Sequence, residues 1–131
     1  MRIMGFSEMW PKLQQQEFTT FRVPRKDKDW WTGELVQIVY RPRSRNRKLI
    51  CLAEIHQKNP ITFKAVTEEE AKADGFSSTF EMWQWLQGAH AGITMDTPIN
   101  KLYLSKIEVS IGRLGFFEPE IEKRNDSPTE F

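Results

Sequence analysis

Val66-Thr67-Glu68-Glu69-Glu70-Ala71-Lys72-Ala73-Asp74-Gly75-Phe76 carries both ends of a short helix in its sequence. Thr67 is placed to cap the first turn, and Glu70, three residues on, to reach back and close a capping box. At the far end Gly75, which has no β-carbon, suits the left-handed conformation that stops a helix. Phe76 can then fold back onto Ala71 in a Schellman motif. A helix this short has little stability of its own, so tertiary packing must hold it. A doubly capped helix inserted between strands anchors the reading of the fold.

Upstream, Phe18-Thr19-Thr20-Phe21-Arg22-Val23 is β-branched and aromatic and predicts a strand ending at Pro24. Glu34–Tyr40 and Leu49–His56 predict two more strands, joined through Pro42–Arg47 as a hairpin. Before them, Phe6–Leu13 predicts a first helix capped by Ser7, with Pro11 limiting its length. Downstream of Pro60 and the capped helix, Ser78 and Glu81 box in a second helix. It carries Phe80, Trp83 and Leu86 at helical spacing and is expected to end at Gly88. Lys101–Ile111 alternates as a closing strand, and no internal repeat is present. Strands joined by short turns, with a helical insertion before the last, predict an α+β fold. Its expected form is a small mixed β-barrel with short helices packed at its openings.

The chain has 131 residues, 39% hydrophobic and 28% charged, which suits one compact domain burying about two thirds of its unfolded surface. We read residues 1–117 as that domain and 118–131 as a polar, acidic tail. No apolar run approaches the roughly twenty residues of a membrane span, and Met1–Gln16 is too polar for a signal peptide. The expectation is a soluble, cytoplasmic protein with no membrane partner. Its single cysteine, Cys51, forms no internal disulfide and supplies no zinc cluster; in an apolar strand it reads as a small buried hydrophobe. His56 and His90 lack ligand spacing, and P-loop, dinucleotide-turn and serine-elbow motifs are missing.

A net charge of +1 conceals a basic segment. Arg22–Lys48 holds nine basic residues against three acids. A local basic surface attracts polyanions even on a nearly neutral molecule. Arg25, Lys26 and Lys28 stand beside Trp30 and Trp31, the cation-plus-aromatic composition that single-stranded RNA binding uses. Arg41, Arg43, Arg45 and Arg47 recur at every second position across the predicted hairpin. Trp83 reads as core and Trp85, two residues on, as half-exposed or at a cleft.

Leu13, Thr20, Arg22, Thr32-Gly33-Glu34 and Val66–Phe76 together resemble the ASCH domain, a member of the PUA-like β-barrel class associated with RNA. The resemblance covers about Trp10–Leu86. The family's first-strand pattern, Gly-x-Lys-Thr-x-Thr-x-Arg, corresponds here to Gln15-Gln16-Glu17-Phe18-Thr19-Thr20-Phe21-Arg22. Thr20 and Arg22 match; Gln15, Glu17 and Phe18 replace the glycine, the lysine and the first threonine. One branch of the family hydrolyses the amide of acetylated cytidine with that lysine, the threonine and a carboxylate ending the capped helix. Carried over, those positions are Glu17, Thr20 and Asp74. The replacement exchanges an amine that could act as base or nucleophile for a carboxylate.

The resemblance and the residues together imply an RNA-binding or nucleotide-ligand-binding domain. Arg22, Arg25, Lys26, Lys28, Arg41, Arg43 and Arg45 are its expected phosphate contacts, Trp30 or Trp31 its base stacker and Thr20 a hydrogen-bonding group in the cleft. A second reading is a hydrolase of RNA or a modified nucleoside through Glu17, Thr20 and Asp74. No cofactor is expected unless it is a nuclease, in which case the two carboxylates would hold Mg²⁺. A third is a non-catalytic protein-interaction module. The first reading requires the cationic stretch and both indoles to surround one concave mouth beside the capped helix.

Overall fold

Five strands form one mixed sheet in the computed structural model, which describes residues 1–107. The predicted end of the last strand beyond Ile107, the domain boundary at residue 117 and the tail lie outside the described residues. The strands are β1 (Arg2–Phe6), β2 (Glu17–Arg22), β3 (Leu35–Tyr40), β4 (Lys48–Thr62) and β5 (Pro98–Ile107), in the order β1-β3-β4-β5-β2. Helices α1 (Glu68–Asp74) and α2 (Thr79–Ala89) fill the β4–β5 connection.

The predicted α+β class therefore stands. Barrel closure would need a ladder between β1 and β2, and among the described residues none is formed. Side chains nevertheless join the two outer strands. Arg22 of β2 donates from Nη2 to the Gly5 carbonyl of β1 at 2.8 Å, and the Phe6 and Phe18 rings meet edge-on at 6.5 Å. The sheet is thus curled, with its seam bridged by side chains.

Alternation of side chains divides the core in two. Phe18 of β2 and Leu102 and Leu104 of β5 join Met4, Leu13, Trp30 and Ile38 in one cluster. Phe21 and Ile99, of opposite parity, meet Val66, Ala71, Phe76, Met82 and Leu86 from the helical insertion in the other. The capped helix forms as its sequence predicts. The Glu70 amide donates to Thr67 Oγ1 at 3.1 Å, and the Thr67 amide donates back to Glu70 Oε1 at 2.9 Å. Gly75 has φ 116°, and the Phe76 amide closes the motif on the Ala71 carbonyl at 3.0 Å. The predicted hairpin also forms, with Tyr40 opposite Lys48.

Four local expectations are corrected. Phe6–Leu13 is not a helix: Phe6 ends β1, which runs parallel to β3, and only Pro11–Gln14 makes a 3-10 turn. The strand predicted over Leu49–His56 runs on to Thr62 as part of β4, with Pro60 inside it, where pairing to β3 has already ended at Glu54 and the missing amide proton has no strand to serve on that side. Gly88 does not end α2, which continues to Ala89. Phe80 is 68% exposed, because Met82 and Leu86 define the buried stripe and Phe80 falls well off it. Among the described residues no helix is long and apolar enough to cross a membrane.

Candidate functional site

Phe6, Ser7, Trp10, Lys12, Thr20, Arg22, Asp74 and Trp85 line a cavity of about 280 Å³, counted out to its open mouth. Three segments build it. After β1 the chain turns through Ser7 and Trp10 into the 3-10 turn opened by Pro11, whose missing amide hydrogen costs nothing at a helix start. This turn carries Lys12, 5% exposed, into the wall. On β2, Phe18, Thr20 and Arg22 share one face; Phe18 fills the core, while Thr20 and Arg22 line the cavity. Helix α1 packs against β2 and ends on Asp74, 1% exposed.

Gly75 is needed twice. Its φ of 116° excludes most side chains, and a β-carbon there would lie 2.6 Å from Cε3 of the Trp10 indole. That close approach seats Trp10 against Phe76 and Trp85, with centroids 5.3 and 5.5 Å away, and Phe76 and Trp85 are 5.9 Å apart. The stop written at Gly75-Phe76 thus delivers a carboxylate to the cavity and makes room for one of its aromatic walls.

The charges within are tightly coupled. Lys12 Nζ donates to Asp74 Oδ1 and to the Thr19 carbonyl, both at 2.7 Å. Thr19 Oγ1 donates to the same Oδ1 at 3.4 Å. Arg22 lies over the Phe6 ring, 4.6 Å from its centroid, and donates from Nε to Thr20 Oγ1 at 3.3 Å. Burial pushes the Lys12 pKa down, and the Asp74 carboxylate only partly restores it. Burial likewise pushes Asp74 up, against the pull of Lys12 and Arg22. The Arg22 cation acts on both in one sense, disfavouring the Lys12 ammonium and favouring the Asp74 carboxylate. Burial thus makes the Lys12 proton easier to remove than in water, while Arg22 and Asp74 offset one another's charge.

Of the residues singled out in the sequence, Thr20, Arg22, Asp74 and the half-exposed Trp85 meet in this cavity. Glu17 does not: it has the opposite parity from Thr20, is exposed, and accepts a 3.3 Å hydrogen bond from Ser105 Oγ. The two-carboxylate arrangement that Mg²⁺ would need is therefore not assembled. Lys12, missed in the sequence, occupies the place beside Asp74; its sequence signal is a cation set between Trp10-Pro11 and Leu13.

The expectation that Trp30 presents a stacking face is corrected. It is 1% exposed within the core, and Arg2 and Arg25 cover it at 4.4 and 5.5 Å. Trp31 is 43% exposed and carries Arg2 and Lys28 over its ring at 5.2 and 4.8 Å. Nor does the cationic stretch gather at one mouth. Arg2 Nη1 donates to the Lys28 carbonyl, which ties the exposed Lys26 and Lys28 to the start of β1, whereas the cavity lies at its Phe6 end. Five residues of strand put those ends about 13 Å apart. Arg41, Arg43 and Arg45 are exposed on the hairpin at the Phe6 end.

No family model matches the chain, and comparison with curated proteins and with solved structures gives no match.

Proposed function

We propose that this cavity is the active site of a hydrolase that cleaves an amide on a nucleotide-derived ligand, in a PUA-like barrel resembling the amidohydrolase branch of the ASCH family. The observation that carries the reading is the buried contact of Lys12 Nζ with Asp74 Oδ1 beside Thr20 and Arg22. It restores the amine, hydroxyl and carboxylate of that branch although residue 17 is a glutamate. The side-chain bridge from Arg22 to Gly5 across the β1–β2 seam supports the barrel assignment.

In this mechanism the ring bearing the amide lies against Trp10 and Trp85. The Lys12 amine takes a proton from the attacking group, either the Thr20 hydroxyl or a water, as the new bond to the acyl carbon forms. Arg22 supplies positive charge beside the developing oxyanion. The ammonium returns its proton to the departing amine, and Asp74 stabilises the ammonium in the interval. With Thr20 as nucleophile, a water then releases the acyl group as the free acid.

Incubation with acetylated cytidine, followed by chromatography for cytidine, tests the reading. Turnover is expected from the wild type and from Glu17→Gln, and none from Lys12→Met or Asp74→Asn. Absence of wild-type turnover, or activity that needs Glu17 and survives Lys12→Met, overturns it.

A further inference from the structure

We propose that the Arg41–Lys48 hairpin is the phosphate-binding rim of this cavity, so that the ligand is a short single strand with one base in the cavity and its flanking phosphates on the hairpin. That the strand is a substrate rests on the hydrolase reading; the hairpin's affinity for its phosphates does not.

Three observations carry it. First, Tyr40 pairs with Phe6, and the Arg41 amide donates to the Phe6 carbonyl at 2.9 Å. The root of the hairpin is therefore bonded to the segment that continues through Phe6 and Ser7 into the cavity wall.

Second, Arg41, Arg43, Arg45, Arg47 and Lys48 put five cations into eight residues with no acid among them. Arg2, Lys12, Arg25, Lys58, Lys64 and Lys101 each have a carboxylate partner. Among the described residues Arg41, Arg45, Arg47 and Lys48 form no ion pair. Their mutual repulsion has no such compensation there, and a polyanion supplies it.

Third, Arg41 has φ 46°, the one non-glycine residue with positive φ among the described residues. A glycine or asparagine would adopt this conformation more cheaply. The Ser44 amide holds it by donating to the Arg41 carbonyl at 3.0 Å. A long cation retained in a strained backbone beside a cavity points to a ligand.

The number of cations selects a strand over a single phosphate. Two successive turns, closed by Ser44 on Arg41 and by Arg47 on Ser44, spread them along the loop, and one phosphate would engage only a part of them.

The test is fluorescence anisotropy of the full chain with a labelled single-stranded RNA of about eight nucleotides, with cytidine monophosphate as competitor. With all five cations engaged, affinity should fall about 100-fold between about 50 and 200 mM salt, and about 7-fold in R41Q/R43Q/R45Q, where two remain. At the lower salt that variant should bind at least tenfold more weakly. Lys64→Gln and Lys72→Gln, which remove exposed cations on the helical insertion, should change affinity less than twofold. An unchanged triple variant, an equal loss from the control substitutions, or an oligomer that competes no better than the monophosphate overturns the proposal. Failure of the hydrolase reading is scored separately, by acetylated cytidine turnover, and leaves this binding measurement standing.

Discussion

Removing either member of the Lys12–Asp74 pair should destabilise the protein strongly, whereas removing both should not. The side chains are 4% and 1% exposed, so a single deletion strands its partner in a nearly dry site. Breaking a buried pair of this kind costs about 3–5 kcal/mol, whereas an apolar replacement of both partners is close to neutral. At about 2.1 cal/mol/K per residue, a 131-residue chain converts that loss to a fall in Tm of roughly 11–18 °C. The two losses should be unequal. Without Lys12, Asp74 still feels the Arg22 cation; without Asp74, Lys12 and Arg22 repel one another directly. Asp74→Leu should therefore lie at the upper end and Lys12→Met at the lower. The double variant should lose only about 1–2 kcal/mol, the worth of the hydrogen bond that Lys12 makes to the Thr19 carbonyl. Urea denaturation of the four proteins measures the cycle, and a coupling of about 6–7 kcal/mol is expected, the sum of the two single losses less that of the double variant. Single losses under about 1 kcal/mol, or additive losses, would refute a buried ion pair.

The pair also fixes the sign of the pH dependence. Burial raises Asp74, so in the wild type its contribution is present below the ordinary aspartate pKa and is lost as pH climbs through the raised one. Burial lowers Lys12, so its contribution is complete above the ordinary lysine pKa and is lost as pH falls through the lowered one. Both terms reduce stability in the window between. Asp74→Leu should abolish the decline on the acid side, and Lys12→Met the recovery on the alkaline side.

Three further outcomes are expected. Gly75→Ala should cost about 2–4 kcal/mol in urea, combining the left-handed penalty with the clash against Trp10 at 2.6 Å; a loss below about 1 kcal/mol would mean that the indole moves freely. Trp30→Ala should cost about 3–5 kcal/mol and Trp31→Ala less than about 1, since one indole is 1% and the other 43% exposed; equal effects would contradict the packing. Arg41→Asn should raise stability by up to about 1 kcal/mol by relieving φ 46° while weakening oligonucleotide binding, a combination that simple loss of structure does not give.

What was legible in the sequence was local. The α1 helix is fixed by Thr67 and Glu70 at one end and Gly75 at the other, all within one short stretch of chain, and the β3–β4 hairpin needs only neighbouring segments. Strand β1 was hidden because it pairs with residues more than thirty positions away. Ile3, Met4, Gly5 and Phe6 are all buried, so its sequence lacks the alternation of a half-exposed strand. Trp30 and Trp31 are chemically identical neighbours, and only the packed fold decides that the first turns inward. Thr20, Arg22 and Asp74 were singled out by their positions along the chain, matched against the ASCH pattern. Lys12 was not, because its partner is 62 residues distant and the two meet only in the folded molecule.

That difference between position in sequence and position in space bears on how such a site is built. Residue 17 has the opposite parity from Thr20 and Arg22, and Glu17 is exposed there, bonded to Ser105. The turn that begins at Pro11 approaches β2 from outside the ladder, and Lys12 Nζ bonds at once to the Thr19 carbonyl and to Asp74. A lysine stem is long enough to deliver an amine from either scaffold, so the proposed hydrolysis would constrain where the nitrogen sits and leave the backbone that carries it free. In this chain the amine depends on a turn whose preceding indole, Trp10, is seated by the absence of a side chain at Gly75. The residue that ends the helix and positions Asp74 therefore also seats the aromatic wall beside Lys12, which ties the geometry of both members of the pair to one backbone stop.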